Sequence, residues 1–211
     1  REAYKTGDTE GHNMAIGLAS MIGPVAGGEY NVAVGNYTLD ALTSGDYNVA
    51  LGYEAGTGLT TGTENTFLGN GAAYSITTGS YNTIVGSRAG NGYDAESHNL
   101  AMGYDALGGA VAGGEYNVAV GNYSLDAVTS ADRNTAVGYG TGSTFTSGGE
   151  NTAVGYNALT LSTGVQNVAI GAESLDASGS GSQNVGVGAG SLTALTDGND
   201  NTGVGNSAGM S

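Results

Sequence analysis

Acidic side chains are the most numerous candidates for chemistry in this sequence. The 211-residue chain has 19 Asp and Glu residues, two His and no Cys. A polysaccharide hydrolase or lyase needs carboxylates or a basic catalyst clustered in a groove. Here the glutamates instead recur just before a repeated asparagine, at Glu29, Glu64, Glu115 and Glu150. We interpret them as solvated turn residues, and the sequence predicts no enzyme.

Metal chemistry has two candidate places. His12 and His98 occupy equivalent places in a duplicated block, and neither has a Cys or an HExxH-like partner nearby. The segment 197–201 is rich in oxygen ligands, but it lacks the spacing of an EF-hand loop. We interpret it as a turn and expect no cofactor, with Ca²⁺ near Asp197 and Asp200 as the weaker alternative.

Thirteen tyrosines are the side chains best suited to surface contacts. Four precede a repeated asparagine, and four others follow a repeated glycine, at Tyr53, Tyr104, Tyr139 and Tyr156. Stacked tyrosines could cover the turns of a repeat protein, which is the interpretation we favour. The alternative is that Tyr53, Tyr104, Tyr139 and Tyr156 bind surface glycans or another chain.

The charge and composition exclude several partners. Four basic residues against 19 acidic ones give a net charge of −15, so no basic stripe is available for nucleic acid. No apolar run is long enough to span a membrane, which takes about 20 residues, and the segment 1–5 shows no signal-peptide core. With 41 Gly, one Pro and 39% hydrophobic residues, the chain is dense in turns yet apolar enough to fold.

A repeat organises all these residues. The pattern Asn-x-x-aliphatic-Gly occurs twelve times with a nearly constant spacing of about 17 residues, and self-similarity at a fixed period is typical of solenoids. The asparagines are Asn13, Asn31, Asn48, Asn65, Asn82, Asn99, Asn117, Asn134, Asn151, Asn167, Asn184 and Asn201. This period is too short for helical repeats but fits short strands and turns. The chain 1–211 is therefore predicted to be one all-β domain, a parallel β-solenoid of about twelve 17-residue coils.

The three residues after each Asn predict a short strand. The first and third are mostly β-branched, and the second is mostly Ala, so period-2 alternation separates them onto two faces. We expect the first and third residues to point into the coil. The outward face would then be an Ala stripe that lets chains approach closely, at Ala15, Ala33, Ala50, Ala101, Ala119, Ala136, Ala153 and Ala169.

The rest of each coil predicts a weaker second strand and a glycine turn. Segments such as 37–39, 123–125, 157–159 and 173–175 end in Leu after a small residue. Glycine stands three residues before the Asn in nine copies, where we expect it to supply positive φ. In-register stacking at about 4.8 Å would align the asparagines in a ladder, each side-chain amide bonding turn backbone or the next Asn.

The coil motif resembles known fibre repeats. The segments 134–138 and 151–155 read Asn-Thr-Ala-Val-Gly and resemble the head repeats of trimeric autotransporter adhesins. The segment 151–159 matches the "NTAVGYNAL" repeats of bacteriophage tail fibres letter for letter. The resemblance covers Asn13 to Gly205, and it implies a β-roll that trimerises into a fibre and presents a binding surface to a host. This chain departs from the adhesin heads in having a longer coil.

These observations predict a structural or adhesive fibre segment located outside the cell or on a virion. Its expected partners are other copies of itself, as a homotrimer or an end-to-end filament, and surface glycans. Neither end shows a recognisable cap, so we expect the array to continue, either covalently in a longer fibre or by stacking of subunits. A polysaccharide-processing β-helix and an ice-binding solenoid are alternatives. The second needs a flat Thr ladder, which other residues interrupt in seven coils.

Overall fold

The computed structural model describes residues 11–24, 27–92, 94–109, 114–144 and 146–209. The prediction about the segment 1–5 lies outside these ranges. Each coil of the chain contributes one strand of three residues. The strands are β1 Met14–Ile16, β2 Val32–Val34, β3 Val49–Leu51, β4 Thr66–Leu68, β5 Thr83–Val85, β6 Leu100–Met102, β7 Val118–Val120, β8 Thr135–Val137, β9 Thr152–Val154, β10 Val168–Ile170, β11 Val185–Val187 and β12 Thr202–Val204. None of the described ranges contains a helix, so none holds a helix able to span a membrane.

All twelve strands form one parallel sheet in chain order, from β1 to β12. Neighbouring strands pair in register, so that Val32, Ala33 and Val34 lie beside Val49, Ala50 and Leu51. Because each coil supplies one strand to the same sheet, each coil stacks directly on the last. The predicted parallel β-solenoid is confirmed.

The strand side chains face the opposite way from the prediction. The middle residue is buried, as at Ala50, while Val49 and Leu51 on either side are exposed. The coil interior is already occupied by large side chains from the turns, including Leu39 and Leu42. Little more than a methyl group fits opposite them, so Ala points inward and the β-branched residues point outward. The predicted outward Ala stripe is wrong, because these alanines pack into or against the core.

The segments predicted as a second strand are turns. Residues 37–39, 123–125, 157–159 and 173–175 all have turn conformation. Tyr37 and Leu39 have φ values of 58° and 48°, and such left-handed residues bend the chain out of an extended path. The Tyr37 N–H bonds the previous coil at Leu18 O (2.8 Å), whereas the Leu39 N–H bonds the next coil at Ala55 O (3.1 Å). The turn is thus tied to both neighbours without forming a sheet.

Glycine three residues before the Asn has a different role from the predicted one. Positive φ is absent at seven of these glycines, which are Gly45, Gly62, Gly79, Gly148, Gly164, Gly181 and Gly198. A Cβ on Gly62 would instead overlap the carbonyl oxygen of Gly79 in the next coil and lie 2.7 Å from Leu59 Cδ1. Close contact between stacked backbones therefore selects glycine here.

Candidate functional site

The repeated asparagines form a continuous hydrogen-bonded ladder inside the rod. The Asn48 amide group donates to Asn31 Oδ1 (3.0 Å) and to the carbonyl oxygen of Gly62 (2.9 Å). Its own Oδ1 accepts the backbone N–H of Asn65 at 3.0 Å. The Asn N–H of each later coil is likewise held by the preceding Asn Oδ1, from Asn31 to Asn201. This is the arrangement that the sequence predicts.

Burial explains why the ladder must be complete. The ten asparagines from Asn31 to Asn184 are at most 2% exposed. A buried amide without partners is costly, but here its donors and acceptor are satisfied by adjacent coils. The ladder is therefore a structural feature that fixes the register of the stack.

A second polar ladder, which the sequence did not lead us to expect, lies two residues before several of these asparagines. Asp46 Oδ1 accepts the Glu29 N–H (2.8 Å), and Ser97 Oγ accepts the Ser80 N–H (3.0 Å). The side chains of four more residues at this position likewise accept a backbone N–H from the preceding coil: Ser80, Asp132, Ser182 and Asn199. Short acceptors recurring at this position were the signal that could have revealed it.

The outward face is formed by the first and third residues of the twelve strands. These side chains are Val, Leu, Ile, Met or Thr in every strand, and none is charged. Several are well exposed, such as Ile16 (56%) and Leu51 (46%). Eleven strand spacings of about 4.8 Å make this face about 53 Å long. At a width of about 10 Å it covers about 500 Å², a size that is often functional.

Aromatic rings stack at the residue before the Asn. The rings of His12, Tyr30 and Tyr47 follow one another with centroids 4.7 and 5.0 Å apart. A second stack runs from Tyr81 through His98 to Tyr116, at 4.9 Å for each step. Interplanar angles of 9° or less mean that these rings cover one another's faces. Glycan binding by ring stacking is therefore disfavoured at these positions.

The four candidate surface-binding tyrosines come after the strand of their coil, whereas the stacked rings come before it. All four are exposed. Tyr104, Tyr139 and Tyr156 belong to one cluster, joined by Tyr123, with neighbouring centroids 5.5 to 5.8 Å apart. Tyr53 instead meets Tyr37, at 5.9 Å and nearly perpendicular. The structure therefore brings three of the four together and adds Tyr123, which the sequence did not single out.

The candidate metal ligands are not gathered into a site. His12 and His98 belong to the aromatic stacks, and Asp197 Oδ1 accepts the hydroxyl of Ser180 at 3.0 Å. The Asp200 N–H bonds Ser182 O at 3.2 Å. Within the described ranges, no three His, Asp or Glu side chains lie close enough together to hold a metal ion.

Three aspartates have a carboxyl pKa that is shifted by their surroundings. Burial, more than any other cause, raises the pKa of Asp40, Asp126 and Asp176 above the ordinary value of 3.8. Nearby carboxylates raise the pKa further: Glu54 acts on Asp40, and Asp105 acts on Asp126. Oδ1 of Asp40 and of Asp126 is buried without a hydrogen-bond partner. These groups are a stability liability near neutral pH.

Concave surfaces on the described part of the rod are shallow. One groove of about 340 Å³ is lined by residues that include Ser130, Arg133, Glu150 and Gln166. Arg133 Nη1 lies 3.6 Å from Glu150 Oε1, and Gln166 Nε2 donates to Glu150 Oε2 at 2.9 Å. Asp132, which also lines the groove, accepts the Glu115 N–H at 2.8 Å.

Comparison with protein-family models, curated proteins and solved structures gives no match. The function is therefore inferred from the surfaces of the rod itself.

Proposed function

We propose that this chain is a structural segment of an extracellular or virion-surface fibre, which associates side by side with copies of itself. The observation that carries the proposal is the uncharged outward face, which runs along all twelve strands. None of the chain's 23 charged side chains, 19 acidic and four basic, interrupts this face. Exposed faces that are mostly apolar are typical of association sites in soluble proteins.

A second copy is the partner that best fits this face. Its side chains repeat at the strand spacing of about 4.8 Å, and another copy offers the same repeat along its whole length. Two sheet faces can interdigitate at a separation of about 10 Å, as in β-sandwiches. The homotrimer implied by the fibre resemblance is our proposed assembly, with the outward aliphatic face replacing the Ala stripe as its contact surface.

The adhesive part of the proposal depends on the tyrosine cluster of Tyr104, Tyr123, Tyr139 and Tyr156. Tyr123 is half-buried, whereas the other three rings are exposed. All four lie outside the strands, so sheet packing leaves them available. Tyr139 and Tyr156 are nearly parallel (13°) but 5.8 Å apart, farther than the rings of the other stacks, and both keep about half of their surface exposed. Exposed aromatic surface of this kind can bind sugars through apolar contact. Titration of the rod with candidate host glycans should show binding that Tyr139→Ala weakens and Tyr74→Ala does not.

The oligomeric state tests the assembly. Sedimentation of the whole chain should give a discrete oligomer, and Leu51→Asp should reduce it to a monomer with an unchanged circular dichroism spectrum. The matched control is Thr61→Asp, because Thr61 is also exposed but lies in a bend away from the outward face. A folded monomer at every concentration of the parent chain would refute the proposal.

Two further measurements distinguish the alternatives. Release of reducing ends from polysaccharides would instead indicate an enzyme. Thermal hysteresis would indicate that the outward face, with Thr in five strands, contacts ice rather than another copy.

A further inference from the structure

Tyr30 and Tyr47 are held face to face by adjacent coils. Their centroids are 5.0 Å apart and their planes differ by 1°. Both side chains are accessible, with 44% and 56% of their surface exposed. The parallel, in-register backbone fixes this relationship, because the two residues occupy the same place in consecutive coils.

We propose that Tyr30 and Tyr47 are a site of oxidative cross-linking, at which a peroxidase-type oxidant joins two coils through a dityrosine bond. Each phenol loses one electron and one proton to give a tyrosyl radical. The two electrons and two protons reduce one hydrogen peroxide to two water molecules. The radicals then form one carbon–carbon bond between ring carbons ortho to the oxygens, and the ortho hydrogens move to the oxygens to restore both phenols.

The stacking geometry favours this bond. The unpaired electron of a tyrosyl radical occupies p orbitals normal to the ring, so two radicals couple through their faces. Because the rings are almost parallel, the face of Tyr30 is turned toward the face of Tyr47. Because both rings are held in this orientation within one chain, each ring meets the other at an effective concentration far above that of a tyrosine on a second molecule.

The chain supplies two internal comparisons. Tyr37 and Tyr53 lie in consecutive coils, but their rings are 83° apart, so a face of one meets an edge of the other. Tyr81 and Tyr116 occupy the same coil position as Tyr30 and Tyr47, yet His98 lies between them. Neither pair has two tyrosine faces in contact. Tyr139 and Tyr156 are also nearly parallel (13°), but their centroids are 5.8 Å apart, so they should cross-link with a lower yield than Tyr30 and Tyr47.

The consequence would be a covalent tie between coils in a chain that has no cysteine. The bond between positions 30 and 47 closes a short loop, which restricts the unfolded chain much as a disulfide does. Oxidation should therefore raise the melting temperature of the rod and slow the separation of these coils. This inference does not depend on self-association, because the bond is within one chain.

Peptide mapping of the oxidised chain tests the site. The whole chain is treated at low concentration with peroxidase and hydrogen peroxide, and then digested. We expect a cross-linked peptide pair containing Tyr30 and Tyr47, lighter by two hydrogen atoms than the two peptides together. Tyr30→Phe, which keeps the ring, should abolish it, whereas Tyr81→Phe should leave its yield unchanged.

A gain of cross-linking provides the converse test. His98→Tyr places a tyrosine between Tyr81 and Tyr116, and a new cross-link at position 98 should appear. Cross-links that form only between molecules, and so rise with protein concentration, would overturn the proposal. A yield at Tyr37 and Tyr53 equal to that at Tyr30 and Tyr47 would also overturn it.

Discussion

Gly56 leaves room for Phe67 inside the rod. A Cβ added to Gly56 would lie 2.6 Å from Phe67 Cδ2, although the two residues belong to different coils. Eight coils have Ala at the middle strand position, and seven have Leu or Met at the turn position of Gly56, as at Leu39 and Leu125. At Phe67 the large and small residues are exchanged. At this contact a large residue at one position is therefore matched by a small one at the other, so the volume filled stays similar.

Restoring the common arrangement should rescue a core mutation. Phe67→Ala alone should cost about 3–5 kcal/mol of unfolding free energy because it leaves a cavity. Gly56→Leu alone should cost about 1–3 kcal/mol by overpacking. Together they should cost less than the sum, because removal of the Phe67 ring frees space for a side chain at position 56. Leu39 shows that a leucine can adopt the left-handed turn conformation that this position requires. Urea unfolding of all four proteins measures the coupling, and strictly additive costs would contradict shared volume.

The direction in which the strand side chains point can be tested by placing Asp at two adjacent strand positions in separate variants. Ala136→Asp should cost about 3–5 kcal/mol, since it buries an unpaired carboxylate at a fully buried position. Val137→Asp is the matched control, because Val137 is the next residue in the strand and is 36% exposed. It should preserve the fold and reduce association instead. Thermal unfolding distinguishes the two, and equal melting temperatures would contradict the inward position of Ala136.

The Asn ladder should be far more sensitive than exposed asparagines. Asn65→Ala removes the acceptor of the Asn82 N–H and the donor to Gly79 O. With buried groups left unpaired, we expect a loss of about 2–5 kcal/mol. Asn70→Ala is the control, since Asn70 is exposed. Denaturant unfolding gives both values, and a loss below about 1 kcal/mol at Asn65 would show that the ladder contributes little.

Two glycine substitutions should separate backbone conformation from steric overlap. Gly71 has φ 60°, and a Cβ added to it would meet no atom within 4 Å. Gly71→Ala should therefore cost only the strain of a left-handed residue, about 1–2 kcal/mol. Gly62→Ala should cost more although Gly62 has no positive φ, because its Cβ would overlap the carbonyl oxygen of Gly79 and lie 2.7 Å from Leu59 Cδ1. Melting temperatures of the two variants provide the comparison, and equal losses would mean that contact between coils does not select glycine at position 62.

Acid should stabilise the rod through its half-buried aspartates. Burial raises the pKa of Asp126 in the folded state above 3.8, so the folded chain binds this proton more tightly than the unfolded chain does. The resulting penalty is present at neutral pH and declines as the pH falls through the raised pKa towards 3.8. Asp126→Asn should therefore raise the melting temperature at pH 7.

The pH dependence of this gain supplies the control. The difference between Asp126→Asn and the parent should shrink as the pH approaches 3.8, and Asp40→Asn should behave in the same way. Melting curves across this range measure it. A gain that is independent of pH would show that ionisation of Asp126 is not its source.

The period, the strand positions and the ladder of asparagines follow from the residue order alone. Twelve copies of Asn-x-x-aliphatic-Gly leave one economical arrangement, in which identical residues stack in register. The asparagine then bonds its own equivalent in the next coil. These features are local or repeat with the coil, so the spacing of the residues is enough to predict them.

The side of the strand that faces the core depends instead on packing across the whole coil. Alternation separates Val49 and Leu51 from Ala50, but it assigns neither side to the interior. The choice depends on the volume left by buried leucines such as Leu39 and Leu42, whose positions follow from left-handed turns that no strand pattern predicts. The stacked and perpendicular tyrosine pairs have the same origin, because ring orientation follows from side-chain packing between coils rather than from residue spacing.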